Sequence, residues 1–337
     1  MATGRGEDDM VLVKDISRGL EKNEIPLVCR RTRHIPKLPD FTYIKNSIVF
    51  NAAHVDFALA RISVCCERCY KDCLSATLPC ACSSETRGEF AYTREGLMTE
   101  KFLNEHISML HGTDDKYLHY CDSCPLQNNS ENGKCEGHLS RKFIKECWVR
   151  CGCGMSCGNR LVQNGISVKL QVFLTPQGKG WGLKTVQFLK KGTFVCEYAG
   201  EIVTNEELYE RNKTYKGMKT GHTYPVYLDA DWGAEKLLKD EEALCLDATA
   251  YGNVGRFVNH RCNDANLIEI PVELETPDHH YYHLAFFTSR DVAAFEELTW
   301  DYGIRFDDYL HPIKAFKCIC GSPLCRAKST TPKLRNA

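Results

Sequence analysis

Cys147-Trp148-Val149-Arg150-Cys151-Gly152-Cys153-Gly154-Met155-Ser156-Cys157-Gly158-Asn159-Arg160 packs four cysteines into one short stretch. Upstream, Cys66, Cys69, Cys73, Cys80 and Cys82 are separated by one to six intervening residues. Thiols this close along the chain are badly placed for ordinary disulfides. Residues 1–24 show no basic segment followed by an apolar run, and no stretch approaches the length that spans a bilayer. We therefore expect a soluble intracellular protein whose 20 cysteines serve metal rather than disulfides. Zinc takes four ligands in a tetrahedron, so nine thiolates serve three ions only if three sulfurs bridge. The nine read as one shared three-zinc cluster, with Cys66 rather than the adjacent Cys65 as its first ligand.

Downstream the cysteines thin out to Cys196, Cys245 and Cys262 before a last block of Cys318, Cys320 and Cys325. Between about 166 and 305, short apolar runs such as Gly192 to Tyr198 and Leu284 to Thr288 alternate with Gly, Asn and Asp turns, which reads as mostly β. Two helices are expected. One is opened by Thr204 with Glu207 three residues on, a capping box running toward Arg211. The other lies within 95–111, where Leu97, Phe102, Ile107 and Leu110 keep helical spacing. Residues 126–138 read as a loop, and 1–45, with Pro26, Pro36 and Pro39, as an extended segment wrapping the surface. A chain of 337 residues that is 43% hydrophobic can bury a real core, and a net charge of -1 gives no bulk field for broad nucleic-acid binding.

Four short motifs follow in order: Gly180-Trp181-Gly182, Glu197-Tyr198-Ala199-Gly200-Glu201, Arg256-Phe257-Val258-Asn259-His260-Arg261-Cys262, and Glu297-Leu298-Thr299-Trp300-Asp301-Tyr302-Gly303. With residues 147–160, and a lead-in from Asp15-Ile16-Ser17-Arg18-Gly19 to Phe41-Thr42-Tyr43-Ile44, nearly the whole chain resembles the SET-domain histone lysine methyltransferases of the Su(var)3-9-related family, plant type. The resemblance implies a mostly β SET fold of small sheets with a pseudoknot. It divides the chain into an N-terminal wrapping segment (1–60), a pre-SET zinc-cluster region (61–165), a SET catalytic domain (166–305) and a zinc-binding post-SET tail (306–337). It further implies methyl transfer from S-adenosylmethionine to a lysine of a histone tail, histone H3 at position nine being the family-level substrate. A nuclear, chromatin-associated role in silencing goes with this, with no sequence-specific DNA binding and no membrane partner. The competing readings are a catalytically silent chromatin scaffold on the same fold and a methyltransferase of a non-histone protein.

The chemistry points the same way from the residues themselves. Methyl transfer from a sulfonium to an amine is an in-line displacement, so the protein must mainly align donor and acceptor and strip a proton from the lysine. A narrow aromatic channel carrying hydroxyl groups suits both tasks. The resemblance implies Tyr302 as the catalytic tyrosine, with Tyr198 and Tyr251 in the same channel. It implies Lys179, Gly180, Trp181, Tyr224, Arg256, Phe257, Asn259, His260 and Trp300 at the cofactor. Trp300 stands where the family usually carries Phe or Tyr, and its larger ring is expected to crowd the channel.

Cys318, Cys320 and Cys325 are one ligand short of a closed zinc site. The resemblance supplies Cys262 as the fourth, which would tie the tail across the active site. The turn Cys262-Asn263-Asp264-Ala265-Asn266 lacks the family's usual proline, and the knot is expected to survive this. Cys121, Cys124 and Cys135, with His138, His119 or Cys65, read either as one more zinc site or as a loop of free thiols.

Overall fold

The computed structural model describes residues 9–31, 37–50, 66, 69, 71–75, 80, 82, 90–111, 118–119, 138–139, 143–176, 178–215, 225–228, 243–274, 282–304, 306–307 and 316–329. Strands gathered into small sheets dominate, as the alternating apolar runs imply. The largest sheet has six strands in the order Asp9–Val13, Leu27–Arg30, Leu170–Leu174, Trp181–Thr185, Glu297–Trp300 and Asn259–His260. A second sheet orders Phe194–Glu197, His283–Thr288, Leu267–Glu273 and Ile144–Lys145. A third orders Val226–Tyr227, Leu244–Asp247, Glu201–Thr204 and Ile48–Val49. Thr42–Tyr43 pairs with Tyr251–Gly252, and Leu118–His119 with His138–Leu139. Of the expected 126–138 loop, only His138 lies among the described residues.

The strand His283–Thr288 is buried along its whole length and divides two cores. Leu284 and Phe286 face the principal one, with Val195, Tyr198, Leu298 and Trp300, while Ala285 and Phe287 face a second around Phe102, Phe194 and Ile270. Successive strand side chains point to opposite faces, so one run of apolar residues can serve both.

The N-terminal segment is extended, yet it does more than wrap. Ile25 and Leu27 have no exposed surface and sit in the principal core, because two N-terminal strands extend the main sheet. The turn that feeds them in is built on Asp15. Its carboxylate accepts from the N–H groups of Ser17 (3.0 Å), Gly19 (2.7 Å) and Ile25 (3.1 Å) and from the Ser17 hydroxyl (2.7 Å). This accounts for the Asp-Ile-Ser-Arg-Gly lead-in as a structural device.

Both expected helices are present. Glu100–His111 buries Phe102, Leu103, His106 and Met109 on one face, the period of an amphipathic helix. Asn205–Tyr215 starts with the Glu207 N–H donating to the Thr204 hydroxyl at 3.2 Å. The other half of the expected capping box is absent, because the Glu207 carboxylate takes the Arg211 Nε at 2.8 Å instead. Arg211 also pairs with Glu201 (2.9 Å) and Asp247 (3.0 Å), which pulls Glu207 toward the helix interior face.

At one edge of the main sheet, Asn259–His260 runs parallel to Glu297–Trp300, with Asn259 opposite Thr299 and His260 opposite Trp300. This register brings the third and fourth motifs side by side.

Candidate active site and metal centres

Nine cysteine sulfurs form one compact body. The Sγ atoms of Cys66, Cys73 and Cys147 make a triangle with edges of 3.8, 3.6 and 3.7 Å. A zinc–sulfur bond of about 2.3 Å sets tetrahedral sulfurs about 3.8 Å apart, so the spacing fits shared zinc. Three overlapping groups could each hold an ion: Cys66, Cys82, Cys147 and Cys151; Cys66, Cys73, Cys80 and Cys147; and Cys73, Cys147, Cys153 and Cys157. Cys66 and Cys73 each recur in two groups and Cys147 in all three, so the sharing that the cysteine count requires centres on these three sulfurs. Cys69, half-buried against the same core, stands outside the three groups.

Without a cation the clustered thiols divide: burial, with the neighbouring Cys157, pushes the Cys73 thiol up and hydrogen bonding with Cys151 and its neighbours pushes Cys147 up, while hydrogen bonds from Cys147 pull Cys80, Cys151 and Cys157 down. A divalent ion would favour the thiolate at every position. Arg160 braces the loop, donating from Nη2 to the carbonyls of Trp148 (2.6 Å) and Cys153 (3.0 Å). A separate group of Cys262, Cys318, Cys320 and Cys325 could hold a further ion, with the Cys262, Cys318 and Cys325 sulfurs 3.7 to 4.0 Å apart.

The expected catalytic tyrosine lies beside the second metal centre. The Tyr302 ring is 4.8 Å from Trp300 and 5.1 Å from His260, centroid to centroid. Trp300 in turn packs on Phe286 (5.1 Å) and Tyr198 (6.4 Å), and Tyr198 meets Phe286 edge to face at 6.2 Å. The Tyr302 hydroxyl donates to the Val258 carbonyl at 2.7 Å. Tyr302 N–H donates to His260 Nδ1 at 3.2 Å, which leaves the proton of the neutral ring on Nε2, facing the Cys262 sulfur at 3.1 Å. Burial holds the His260 pKa down at about 4, so the ring is neutral near pH 7.

The Gly-Trp-Gly strand and Asn259 face each other. Gly180 has φ +83°, a conformation that side chains rarely adopt. A Cβ on Gly182 would lie 2.8 Å from Thr175 and 3.0 Å from the Asn259 amide, so the second glycine is required by close packing. Asn259 Nδ2 donates to the Trp181 carbonyl (3.3 Å) and to Glu297 (3.0 Å). Lys179 also pairs with Glu297, at 3.1 Å. With both amide hydrogens used, Asn259 keeps Oδ1 as an open acceptor. Trp181 Nε1 donates to the Lys37 carbonyl at 3.2 Å.

Arg256 and Phe257 both pack on the N-terminal segment, and Phe257 also belongs to the principal core. Arg256 donates to the carbonyls of Ala248 (3.0 Å) and Thr249 (3.1 Å) and stacks over Phe41 at 4.2 Å, while Phe257 meets Phe41 edge to face. Tyr251 is 37% exposed, and among the described residues no ring contact joins it to Tyr198 or Tyr302. Tyr224, Cys65, Cys121, Cys124 and Cys135 lie outside the described residues. His119 and His138 are backbone partners in a two-stranded pair. Residues to which the motifs assign no role also belong to the site: Val258, inside the third motif, through its carbonyl, Phe286 from the dividing strand, and Phe306 and Phe316 from the tail, whose rings lie 6.0 and 5.7 Å from His260.

The SET domain matches residues 180–303, and the Pre-SET motif residues 17–160. The chain belongs to the Su(var)3-9-related family of SET-domain proteins. It is 58% identical over 319 residues to the histone-lysine N-methyltransferase SUVR4 of Arabidopsis thaliana, covering 93% of this chain and 64% of SUVR4. It is 49% identical over 337 residues to the probable inactive histone-lysine N-methyltransferase SUVR1 of Arabidopsis thaliana, covering 98% of this chain and 45% of SUVR1. The chain thus spans about half to two thirds of the length of these curated relatives. Among solved structures, it is similar to KRYPTONITE in complex with mCHH DNA, H3(1-15) peptide and SAH. That likeness has a TM-score of 0.64 at 26% identity and covers 94% of this chain and 53% of the other. The SET domain therefore holds the aromatic cluster and both chain segments that flank it, and the Pre-SET motif holds the nine-sulfur body.

Proposed function

We propose that this chain is an S-adenosylmethionine-dependent lysine methyltransferase acting in the nucleus on a histone tail in chromatin, with histone H3 at position nine as its target. The observation that carries the reading is the Tyr302 hydroxyl, held on the Val258 carbonyl at 2.7 Å beside the wall of Tyr198, Phe286 and Trp300. The cofactor would supply an activated methyl group on a sulfonium centre. The chain's own part is placement: the hydroxyl donates its hydrogen bond to the Val258 carbonyl, which fixes the direction of the oxygen's lone pairs. Asn259 Oδ1 suits the ammonium of an amino-acid moiety, and Trp181 and His260 flank it. Three zinc ions on the nine-thiol body and one on Cys262, Cys318, Cys320 and Cys325 would brace the domain on both sides. The likeness to SUVR4 and to a neighbour solved with an H3 peptide supports the substrate class.

Incubation with labelled cofactor and separated core histones, followed by mapping, tests this. Label on histone H3 at lysine nine is the expected result; no label on any histone from a chain that binds the cofactor sinks it. The likeness to SUVR1, described as probable inactive, favours one alternative, a silent chromatin scaffold. Equilibrium cofactor binding separates the two, since a scaffold need not bind.

A further inference from the structure

Arg326 directly follows Cys325, and its guanidinium meets the Asp301 carboxylate through two parallel bonds, Nη1 to Oδ2 at 2.5 Å and Nη2 to Oδ1 at 2.6 Å. Asp301 precedes Tyr302. The same carboxylate accepts the Gly303 N–H at 3.0 Å and the Asn263 N–H at 2.9 Å, so it grips the backbone beyond Tyr302 and the turn just after Cys262. Asn263 is held from the tail as well: its Oδ1 accepts from Arg326 Nη1 (3.1 Å), and its Nδ2 donates to the Leu324 carbonyl (2.8 Å). A second route runs from the Tyr302 N–H through His260 to the Cys262 sulfur. Two cysteines of the tail group, Cys325 and Cys262, are thereby tied to one tripeptide by separate hydrogen-bonded paths.

We propose that Arg326 is a positioning residue: through Asp301 it fixes the backbone on either side of Tyr302, so that closing the tail's four-cysteine group aims the Tyr302 hydroxyl. The inference rests on the methyltransferase reading above. A planar fork suits this, because a lysine ammonium, a compact point charge with three rotatable donors, has no rigid geometry to match both carboxylate oxygens and Asn263 Oδ1 together. The pair is 34% and 26% exposed, and even a bidentate pair so placed carries only a fraction of a domain's global stability. Its removal should therefore spare the fold while loosening the tripeptide. Misplacing a reacting group by about 1 Å can lower a rate about a hundredfold, so the smaller shift expected here should cost about tenfold.

The test compares zinc-loaded parent, Arg326→Ala and Arg326→Lys chains. In both variants, hydrogen exchange at the Gly303 and Asn263 amides should be about tenfold faster or more, and turnover about tenfold lower. Zinc per chain and the cofactor dissociation constant should be unchanged. Added guanidinium should restore part of the protection and rate to Arg326→Ala but not to Arg326→Lys. Parental amide exchange in Arg326→Ala overturns the proposal, and so does loss of zinc or cofactor affinity in step with turnover, which would make Arg326 a brace of the metal site only. Should the parent transfer no methyl group, the methyltransferase reading fails, and amide exchange alone decides the coupling: acceleration upholds it and parental rates overturn it.

Discussion

The phenolic hydroxyl of Tyr302 donates to the Val258 carbonyl at 2.7 Å, and the Tyr302 backbone N–H donates to His260 at 3.2 Å. Ring and backbone are thus both fixed by the Arg256-to-Cys262 motif, which holds the hydroxyl beside the aromatic wall. Tyr302→Phe should leave fold and cofactor affinity nearly intact, since ring packing on Trp300 and His260 is kept. Turnover should fall about a hundredfold or more, the scale of losing a polar group that acts mainly in the transition state. Steady-state rates with cofactor binding measured alongside check it; a parental rate would reduce Tyr302 to a wall of the channel.

Metal content should separate bridging from terminal cysteines. Chain purified without chelator should carry about four zinc ions, and a fifth only if Cys121, Cys124 and Cys135 form a site. Cys147 belongs to all three overlapping groups, whereas Cys80 belongs to one. Cys147→Ser should therefore empty the whole nine-thiol body and unfold the Pre-SET region, while Cys80→Ser should lose about one ion. Two or fewer zincs in the parent, or equal losses in the two variants, would contradict a shared cluster.

Asp15 offers a pH test of the N-terminal turn. Burial alone would raise its pKa, but hydrogen bonds from Ser17, Ile25 and Gly19 hold it below the ordinary carboxylate value. A depressed folded-state pKa means that the stabilisation is fully present above the unfolded value, about 4, and is lost as pH falls through the folded one. Asp15→Asn should cost about 1–2 kcal/mol at pH 7, in the range of a lost capping carboxylate. The gap between parent and variant should narrow as pH falls below about 4. Urea unfolding of both chains at neutral pH and across the acid range measures it; a gap that does not narrow in acid would assign the effect to shape rather than charge.

How much of this was legible in the sequence depends on the range of the interaction. The strand His283–Thr288 and the helix Glu100–His111 carry their apolar period in consecutive residues, and counting ligands implied that three of the nine sulfurs bridge, though not which three. Tyr302 and Val258 meet through a backbone carbonyl, and every residue has one, so no residue type marks that partner. Nor does any residue type mark the partners of the Arg256 guanidinium, the Ala248 and Thr249 carbonyls and the Phe41 face. That outcome depends on where the N-terminal segment folds back. Ile25 and Leu27 looked like part of a surface wrap because the strand they join, Leu170–Leu174, is far along the chain.

Trp300 is expected to set how many methyl groups the product carries. Two packings were open to it: outward against the tail, leaving the channel as wide as with Phe, or inward against the catalytic ring. It is 5% exposed and lies among Phe286, Tyr198 and Tyr302, while the rings that Phe306 and Phe316 meet are His260, Tyr302 and each other. The inward packing holds. Its indole Nε1 is buried with no hydrogen-bond partner among the described residues, so the ring is there for its bulk, and replacing it removes an unsatisfied donor that itself carries a penalty of about 1–3 kcal/mol. Trp300→Phe should therefore change thermal stability little, the lost packing being offset by the lost orphan. A ring of this size beside Tyr302 takes up room that a methylated amine needs to turn, so the parent should make mainly mono- and dimethyl-lysine. Trp300→Phe should shift products toward higher states without a large loss in the first transfer. Mass spectrometry of a peptide substrate over a full time course decides the matter: efficient trimethylation by the parent would show that Trp300, though packed inward, leaves the channel wide enough for every round.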